Sequence, residues 1–149
     1  MPAGAWEQDA RVSAPDTLQA VCSALKLDEA PALLYLQTLT LLNPTKKNVV
    51  LWNDWKPAAY RNAAAVLVER ELVLVGKRSR AGREHFLPGA WSEQKRLLPY
   101  EEWKRPLYGF DGRVFHMGAP RSAAPIHLLF ERAWARYVSG DVPKFREVR

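Results

Sequence analysis

Residues 57–89 read PAAYRNAAAVLVERELVLVGKRSRAGREHFLPG, and the spacing of apolar side chains changes within this stretch. Over 57–71 the apolar residues recur at three- and four-residue intervals, which predicts an amphipathic helix. Beyond it, two runs rich in branched and aromatic residues, 72–77 and 84–88, flank the segment RSRAGR. Gly82 tolerates a positive φ at the turn. The stretch therefore predicts a helix followed by a β-hairpin with a basic tip.

The predicted helix has two distinct faces. A helical wheel places four residues on the inward face, namely Tyr60, Ala63, Ala64 and Leu67. The opposite face carries Ala58, Arg61, Asn62, Ala65 and Glu69. Its alanines keep that outward face thin, while Arg61 and Asn62 can donate hydrogen bonds. Such a face allows the close approach of another molecule.

Three further helices are predicted upstream of this one. They are 17–27 with Asp16 as its cap, 29–42 with Asp28 as its cap, and 45–52 with Thr45 as its cap. We expect 29–42, which is rich in leucine, to be the most buried helix, and 53–56 to be a tight connection. Residues 1–15 hold two prolines, one glycine and four alanines, and we expect them to be a flexible arm. Residues 16–149 then form a single domain.

The downstream sequence is rich in aromatic residues. Residues 90–122 are expected to be an ordered wrap with one short helix near 100–104 and a strand at 113–117. A regular apolar pattern predicts an amphipathic helix at about 123–139, and Gly140 is suited to end it.

The order helix, short helix, tight turn, helix and hairpin resembles the winged helix-turn-helix family of DNA-binding proteins. The resemblance covers about residues 28–91 and includes the phrase AAAVLVERELVLVGKRSRAGREHFLPG. It implies an α+β, mainly helical fold with a two-stranded β wing, to which 92–149 add a C-terminal extension. It also implies that helix 57–71 lies in the DNA major groove while the hairpin reaches a minor groove or the phosphates.

The resemblance assigns roles to three groups of residues. The recognition helix would contact DNA through Lys56, Ala58, Arg61, Asn62 and Ala65. The wing would do so through Lys77, Arg78, Arg80 and Arg83, and the short helix would touch the DNA backbone through Lys46 and Lys47. Arginine and asparagine pair with guanine and adenine edges, and clustered cations neutralise phosphates.

The composition is consistent with a polyanionic partner. The chain has 149 residues and a formal net charge of +6, and residues 44–105 hold 13 basic and 7 acidic side chains. No apolar run is long enough for a membrane span and the N-terminus lacks a signal-like pattern. We therefore expect no membrane association and a cytoplasmic location, nucleoid-associated if the protein binds DNA. The single cysteine, Cys22, is interpreted as a small core residue.

Two other interpretations of function stay open. The aromatic-rich residues 90–110 and the outward Glu69 favour a module that docks to another protein, either a second copy of the chain or the other subunits of a larger complex. A basic hairpin tip, taken alone, is usually only a solvated turn. A nucleic-acid enzyme would have to use His85, His116 or His127, whose spacing matches no metal site. We therefore expect no catalytic residue, no metal and no cofactor. The partner that we expect is double-stranded DNA, and the protein would act in the regulation of transcription or in DNA targeting.

Several ring side chains carry separate expectations. Helical phase assigns Trp52 and Trp134 to the core. Trp55 lies in the turn, where it either packs against the protein or stacks on a sugar or base. Alternation with Phe86 predicts that His85 is an exposed residue of the wing.

Overall fold

The computed structural model describes residues 6–41, 44–76, 85–88, 91–92, 100–101, 103 and 126–143. The helices in this part of the chain are α1 (Ala10–Ser13), α2 (Pro15–Leu25), α3 (Glu29–Thr40), α4 (Lys46–Asn53), α5 (Pro57–Glu69) and α6 (Ile126–Val138). The strands are β1 (Leu74–Val75), β2 (His85–Phe86), β3 (Trp91–Ser92) and β4 (Tyr100–Glu101). The fold is α+β and mainly helical, as the sequence predicts.

Helix α3 runs through the centre of the core. Every residue from Pro31 to Thr40 is buried, and Leu33, Leu36 and Leu39 are fully so. The helix packs against α2, α5 and α6 and also touches α1. A helix that is apolar on all sides is stable only when it is covered on all sides, so the neighbouring helices assemble around α3.

Helices α3 and α4 begin after the N-cap residues that the sequence predicts. Asp28 occupies the N-cap position of α3, although its side chain makes no capping hydrogen bond. The helix ends at Thr40, before the predicted residue 42, because Leu41 is extended with φ −85° and ψ 141°. Thr45 caps α4 as predicted, since its hydroxyl accepts a hydrogen bond from the Asn48 backbone N–H at 3.0 Å.

The prediction of a flexible arm over 1–15 is wrong for residues 9–15. Asp9 caps α1 by accepting from the Arg11 backbone N–H at 3.0 Å, and Ala10 and Ala14 are buried in the core. The cap predicted at Asp16 is also wrong, because α2 begins at Pro15 with Ala14 as its N-cap. Proline is well suited to a first helical position, where its missing N–H leaves no hydrogen bond unmade.

Helix α6 completes the core on the other side of α3. The predicted apolar face is confirmed for Leu129, Phe130, Ala133 and Trp134, which are buried. Tyr137 stacks on the Trp134 ring at 5.1 Å and meets the ring of Tyr35 edge-on at 6.1 Å. Val138 continues the same apolar spacing but is 65% exposed, and it is the last residue of the helix. Gly140 has φ 105° and follows the helix end, as expected of a residue that stops a helix.

A short polar clamp holds the end of α6. The Arg136 guanidinium lies 4.3 Å from the centre of the Trp103 ring and also donates to the Trp103 carbonyl. It forms an ion pair with Asp141 at 2.6 Å, and the Trp103 indole N–H donates to the Asp141 carbonyl at 3.1 Å. These contacts fix the segment after α6 against residue 103.

Each small sheet is an antiparallel pair. In the first, Leu74 lies opposite Phe86 and Val75 opposite His85, so the predicted hairpin is confirmed at its base. The regular strands are shorter than the predicted 72–77 and 84–88. Residues 77–84, with Gly82, lie outside the described part.

The second sheet corrects another prediction. Residues 100–101 form a strand paired with 91–92, so the short helix predicted near 100–104 is wrong at these two positions, while Trp103 has a 3₁₀-helical conformation. Pairing with another segment decides the local structure at 100–101. The strand predicted at 113–117 lies outside the described residues.

Candidate nucleic-acid interface

The site begins at the turn between α4 and α5. Helix α4 ends at Asn53, and Asp54 adopts the left-handed conformation with φ 53° and ψ 47°. The Trp55 backbone N–H then donates to the Val50 carbonyl at 3.0 Å, which closes the turn. Helix α5 starts at Pro57, so the connection spans three residues. A turn of three to four residues between two helices is the spacing of helix-turn-helix motifs.

A buried pair of amides holds this turn against the core. The Gln37 side-chain N–H₂ donates to Asn53 Oδ1 at 2.7 Å, and the Asn53 N–H₂ donates to Gln37 Oε1 at 2.9 Å. Gln37 is 0% and Asn53 1% exposed. Gln37 also donates to the Gln8 carbonyl at 2.9 Å. The pair therefore ties the end of α4 both to α3 and to the N-terminal segment.

The N-terminal segment adds a second tie to the same place. Arg11 donates to the Asn53 carbonyl at 2.7 Å and forms an ion pair with Asp9 at 2.8 Å. Hydrogen bonding to Asp9 raises the pKa of Arg11. Sequence reasoning missed this network. Its one visible signal was a glutamine at position 37 inside an otherwise leucine-rich helix.

Helix α5 presents the two faces that the sequence predicts. Tyr60, Ala63, Ala64 and Leu67 are buried against the core. The five outward residues, Ala58, Arg61, Asn62, Ala65 and Glu69, are all exposed. The helix ends at Glu69, with Arg70 as its C-cap and Glu71 in the left-handed region at φ 60°. The outward face is thus a thin alanine surface with one guanidinium and one amide in its middle.

The basic residues predicted to face the DNA backbone lie at helix starts. Lys46 and Lys47 are exposed in the first turn of α4, and Lys56 is the exposed N-cap of α5. Neither helix has an acidic residue in its first turn, whereas α2 and α3 begin with Asp16 and Glu29 there. A helix start carries partial positive charge and binds anions, so these lysines add to a field that attracts phosphate.

Two acidic side chains oppose that field. Asp54 is exposed in the turn, two positions before Lys56 and at the opposite end of α4 from Lys46 and Lys47. Glu69 is exposed at the far end of α5, about 20 Å along the helix from Lys56 at about 1.5 Å per residue. The lysines of α4 and α5 therefore lie at the helix starts, while the acidic residues lie in the turn and at the end of α5.

The four predicted wing residues, Lys77, Arg78, Arg80 and Arg83, lie outside the described residues. The described base of the hairpin is anchored to the core, because Val73, Phe86 and Leu87 are buried. His85 was expected to be exposed, but it is half-buried and meets the ring of Tyr60 edge-on at 5.9 Å. This contact joins the hairpin base to α5.

The other ring and thiol assignments are settled within the described residues. Trp52 and Trp55 are half-buried and pack against the core, so Trp55 packs within its own protein. Trp134 is buried, as predicted. Cys22 is half-buried beside the core, and burial raises the pKa of its thiol, which disfavours the thiolate form.

The described residues contain neither a cluster of metal-binding side chains nor a helix that could span a membrane. Among those residues no three side chains of His, Cys, Asp or Glu form a group suited to a metal ion. None of the described helices combines the length and apolar character needed to cross a bilayer.

The chain matches no protein-family model, no curated protein and no solved structure in comparisons with each. The geometry of α4, α5 and the hairpin base is therefore the basis for a proposed function.

Proposed function

We propose that the protein is a winged-helix DNA-binding protein that acts by binding and positioning rather than by bond chemistry. In this proposal α5 enters the major groove, the start of α4 contacts the phosphate backbone, and the hairpin after β1 is the wing. Regulation of transcription and the targeting of a larger complex to DNA are the two uses that fit such a module.

The observation that carries the proposal is the outward face of α5. Ala58 and Ala65 leave room for close approach, while Arg61 and Asn62 between them are exposed donors. Guanine offers two acceptors to an arginine, and adenine offers an acceptor and a donor to an asparagine. The Gln37–Asn53 amide pair ties the end of α4, from which the turn leads into this helix, to α3.

The charge distribution supports the same orientation. Lys46, Lys47 and Lys56 lie at the starts of α4 and α5, where helix dipoles also attract phosphate. In the proposal the wing residues Lys77, Arg78, Arg80 and Arg83 add phosphate contacts on the flanking side.

The test is fluorescence anisotropy with labelled double-stranded DNA, single-stranded DNA and RNA over a range of salt concentrations. With about five phosphate contacts, log K should fall against log salt with a slope of about −4 to −5 for duplex DNA. A duplex that shows no binding at low salt, or a slope near zero, would reject the proposal.

A protein-docking module is the second candidate, and two exposed apolar residues favour it. Leu51 on α4 is 54% exposed and Val75 on β1 is 63% exposed. Apolar side chains of this kind suit a protein partner better than a phosphate backbone. Affinity purification after nuclease treatment separates the two candidates, because one stoichiometric protein retained without nucleic acid favours docking.

A further inference from the structure

A cleft of about 450 Å³ lies between α5 and the turn that joins α2 to α3. Its walls are apolar: Leu27 and Pro31 form one side, and Ala59, Ala63 and Val66 of α5 form the other. Volumes of 300–1,000 Å³ with apolar walls and a few polar groups are typical of small-molecule sites. The cleft is wide enough for a compact aromatic molecule.

The rim of the cleft carries two cationic side chains, Lys26 and Arg70. Arg70 donates to the carbonyl oxygens of Leu25 at 2.9 Å and Lys26 at 2.8 Å. An arginine has five N–H groups, so others remain for a ligand. Lys26 caps α2 in the left-handed conformation, with φ 53° and ψ 51°. The Arg70 guanidinium is therefore held beside the apolar walls by its hydrogen bonds, and the backbone of Lys26 is held there as the cap of α2.

One carboxylate also faces the cleft. Asp28 is exposed at the N-cap of α3, where the positive end of the helix offsets part of its charge. Against Lys26 and Arg70, this leaves the rim net positive. An anionic group is therefore favoured there over a cationic one.

We propose that this cleft binds a small amphipathic anion. The apolar body of the ligand packs between α5 and the start of α3, and its single anionic group contacts Lys26 and Arg70. The existence of this site does not depend on the proposed function.

Its consequence for regulation does rest on the proposed function. Asn62 lines the cleft and also belongs to the outward face of α5 that would read a base edge. A ligand in the cleft and a base in the major groove would then contend for the same side chain. Ligand and DNA should therefore weaken each other's binding.

The probe is 8-anilinonaphthalene-1-sulfonate, with N-phenyl-1-naphthylamine as the matched compound without the sulfonate. Fluorescence titration of the folded protein should give saturable binding of the sulfonate at one site. Ala59→Phe, which fills the cleft, should raise its dissociation constant at least tenfold. Ala58→Phe is the matched control on the outward face one residue away, and should change it less than twofold.

The charge of the rim is tested separately. Lys26→Gln should weaken binding of the sulfonate about threefold, as for an exposed ion pair, and leave binding of the uncharged compound unchanged. Equal effects of the two phenylalanine variants would mean adventitious surface binding and would overturn the site. Equal effects of Lys26→Gln on the two compounds would overturn its preference for anions.

Nuclear magnetic resonance of the unmodified protein locates the site without any variant, so the test still works if a variant fails to fold. Amide shifts caused by the sulfonate should centre on 26–31 and 59–70, and shifts centred elsewhere would overturn the site. Competition is then measured by DNA anisotropy at saturating sulfonate. If Asn62→Ala loses DNA binding but still binds the sulfonate, the result supports the proposed function and leaves the cleft site in place. Unchanged DNA affinity at saturating sulfonate would overturn the regulatory consequence while leaving the site in place.

Discussion

Substitution of Asn53 by leucine tests whether the buried amide pair holds the end of α4 against α3. The change keeps the approximate size of the side chain and the Asn53 carbonyl that Arg11 contacts. It removes both hydrogen bonds to Gln37, at 2.7 and 2.9 Å. Gln37 is 0% exposed, so water cannot replace the lost donor to its Oε1 without a rearrangement of the core.

The size of the effect follows from that burial. A buried polar group without its partner costs about 1–3 kcal/mol, and a chain of this size changes its Tm by about 2–4 °C per kcal/mol. Asn53→Leu should therefore lower the free energy of unfolding by about 2 kcal/mol and the Tm by about 4–8 °C. Asn62→Leu, the same change at an exposed position on α5, should stay within about 0.5 kcal/mol.

A double-mutant cycle with Gln37→Met decides whether the pair is the cause. Replacement of both amides by apolar side chains leaves no orphaned group between them, so the double variant should lose at least about 1 kcal/mol less than the sum of the single variants. The assay is urea unfolding of the four proteins, followed by circular dichroism, with calorimetry for Tm. Additive losses, or an Asn53→Leu loss no larger than that of Asn62→Leu, would refute the reasoning.

Three further predictions concern charge and ionisation. Lys46→Gln combined with Lys47→Gln should reduce the magnitude of the salt slope for duplex DNA by about two and weaken all sequences alike, and an unchanged slope would remove α4 from the backbone contacts. Arg61→Ala should cost about 1–3 kcal/mol on the preferred DNA sequence and relax one base position, as a binding-site selection would measure. A uniform loss on all sequences would instead make Arg61 a phosphate contact. Burial of the Tyr35 hydroxyl and, second, its interaction with Tyr137 raise the pKa of Tyr35. The stability that Tyr35 contributes is therefore fully present below about pH 10, the ordinary pKa of tyrosine, and is lost as the pH rises above it. Tyr35→Phe should therefore remove about 1.4 kcal/mol per pH unit from the alkaline decline of stability, and an identical decline in both proteins would contradict the assignment.

The sequence was most informative where one element carried its own pattern. Helix α5 shows both faces in its spacing, because its inward residues meet the core while small and polar residues face outward. The cap of α4 at Thr45 was equally visible, since a cap depends on residues three positions apart. Local chemistry of this kind needs no knowledge of the rest of the chain.

Three of the misses share a physical cause, because each structure depends on contacts with another segment of the chain. Helix α1 is only four residues long and is ordered by its place against the core and by the contact of Arg11 with Asn53. The strand at 100–101 exists through its pairing with 91–92. Gln37 and Asn53 are sixteen positions apart, so no periodicity connects them. Tertiary pairing decided these structures, and single-sequence patterns do not contain it.

The distribution of charge over the helix starts separates stability from function. An acidic residue in the first turn stabilises a helix, and α2 and α3 have Asp16 and Glu29 there, whereas α1, α4, α5 and α6 have none. Helices α4 and α5 instead begin beside lysines, at a cost of a few tenths of a kcal/mol each in the free protein. A bound phosphate would offset that cost, because it would meet both the lysine ammonium groups and the helix dipoles. Among the described helices, lysines stand at the N-cap or in the first turn of α4 and α5 alone, while the cation at the start of α1, Arg11, is paired with Asp9. The proposed function places α4 and α5 on DNA.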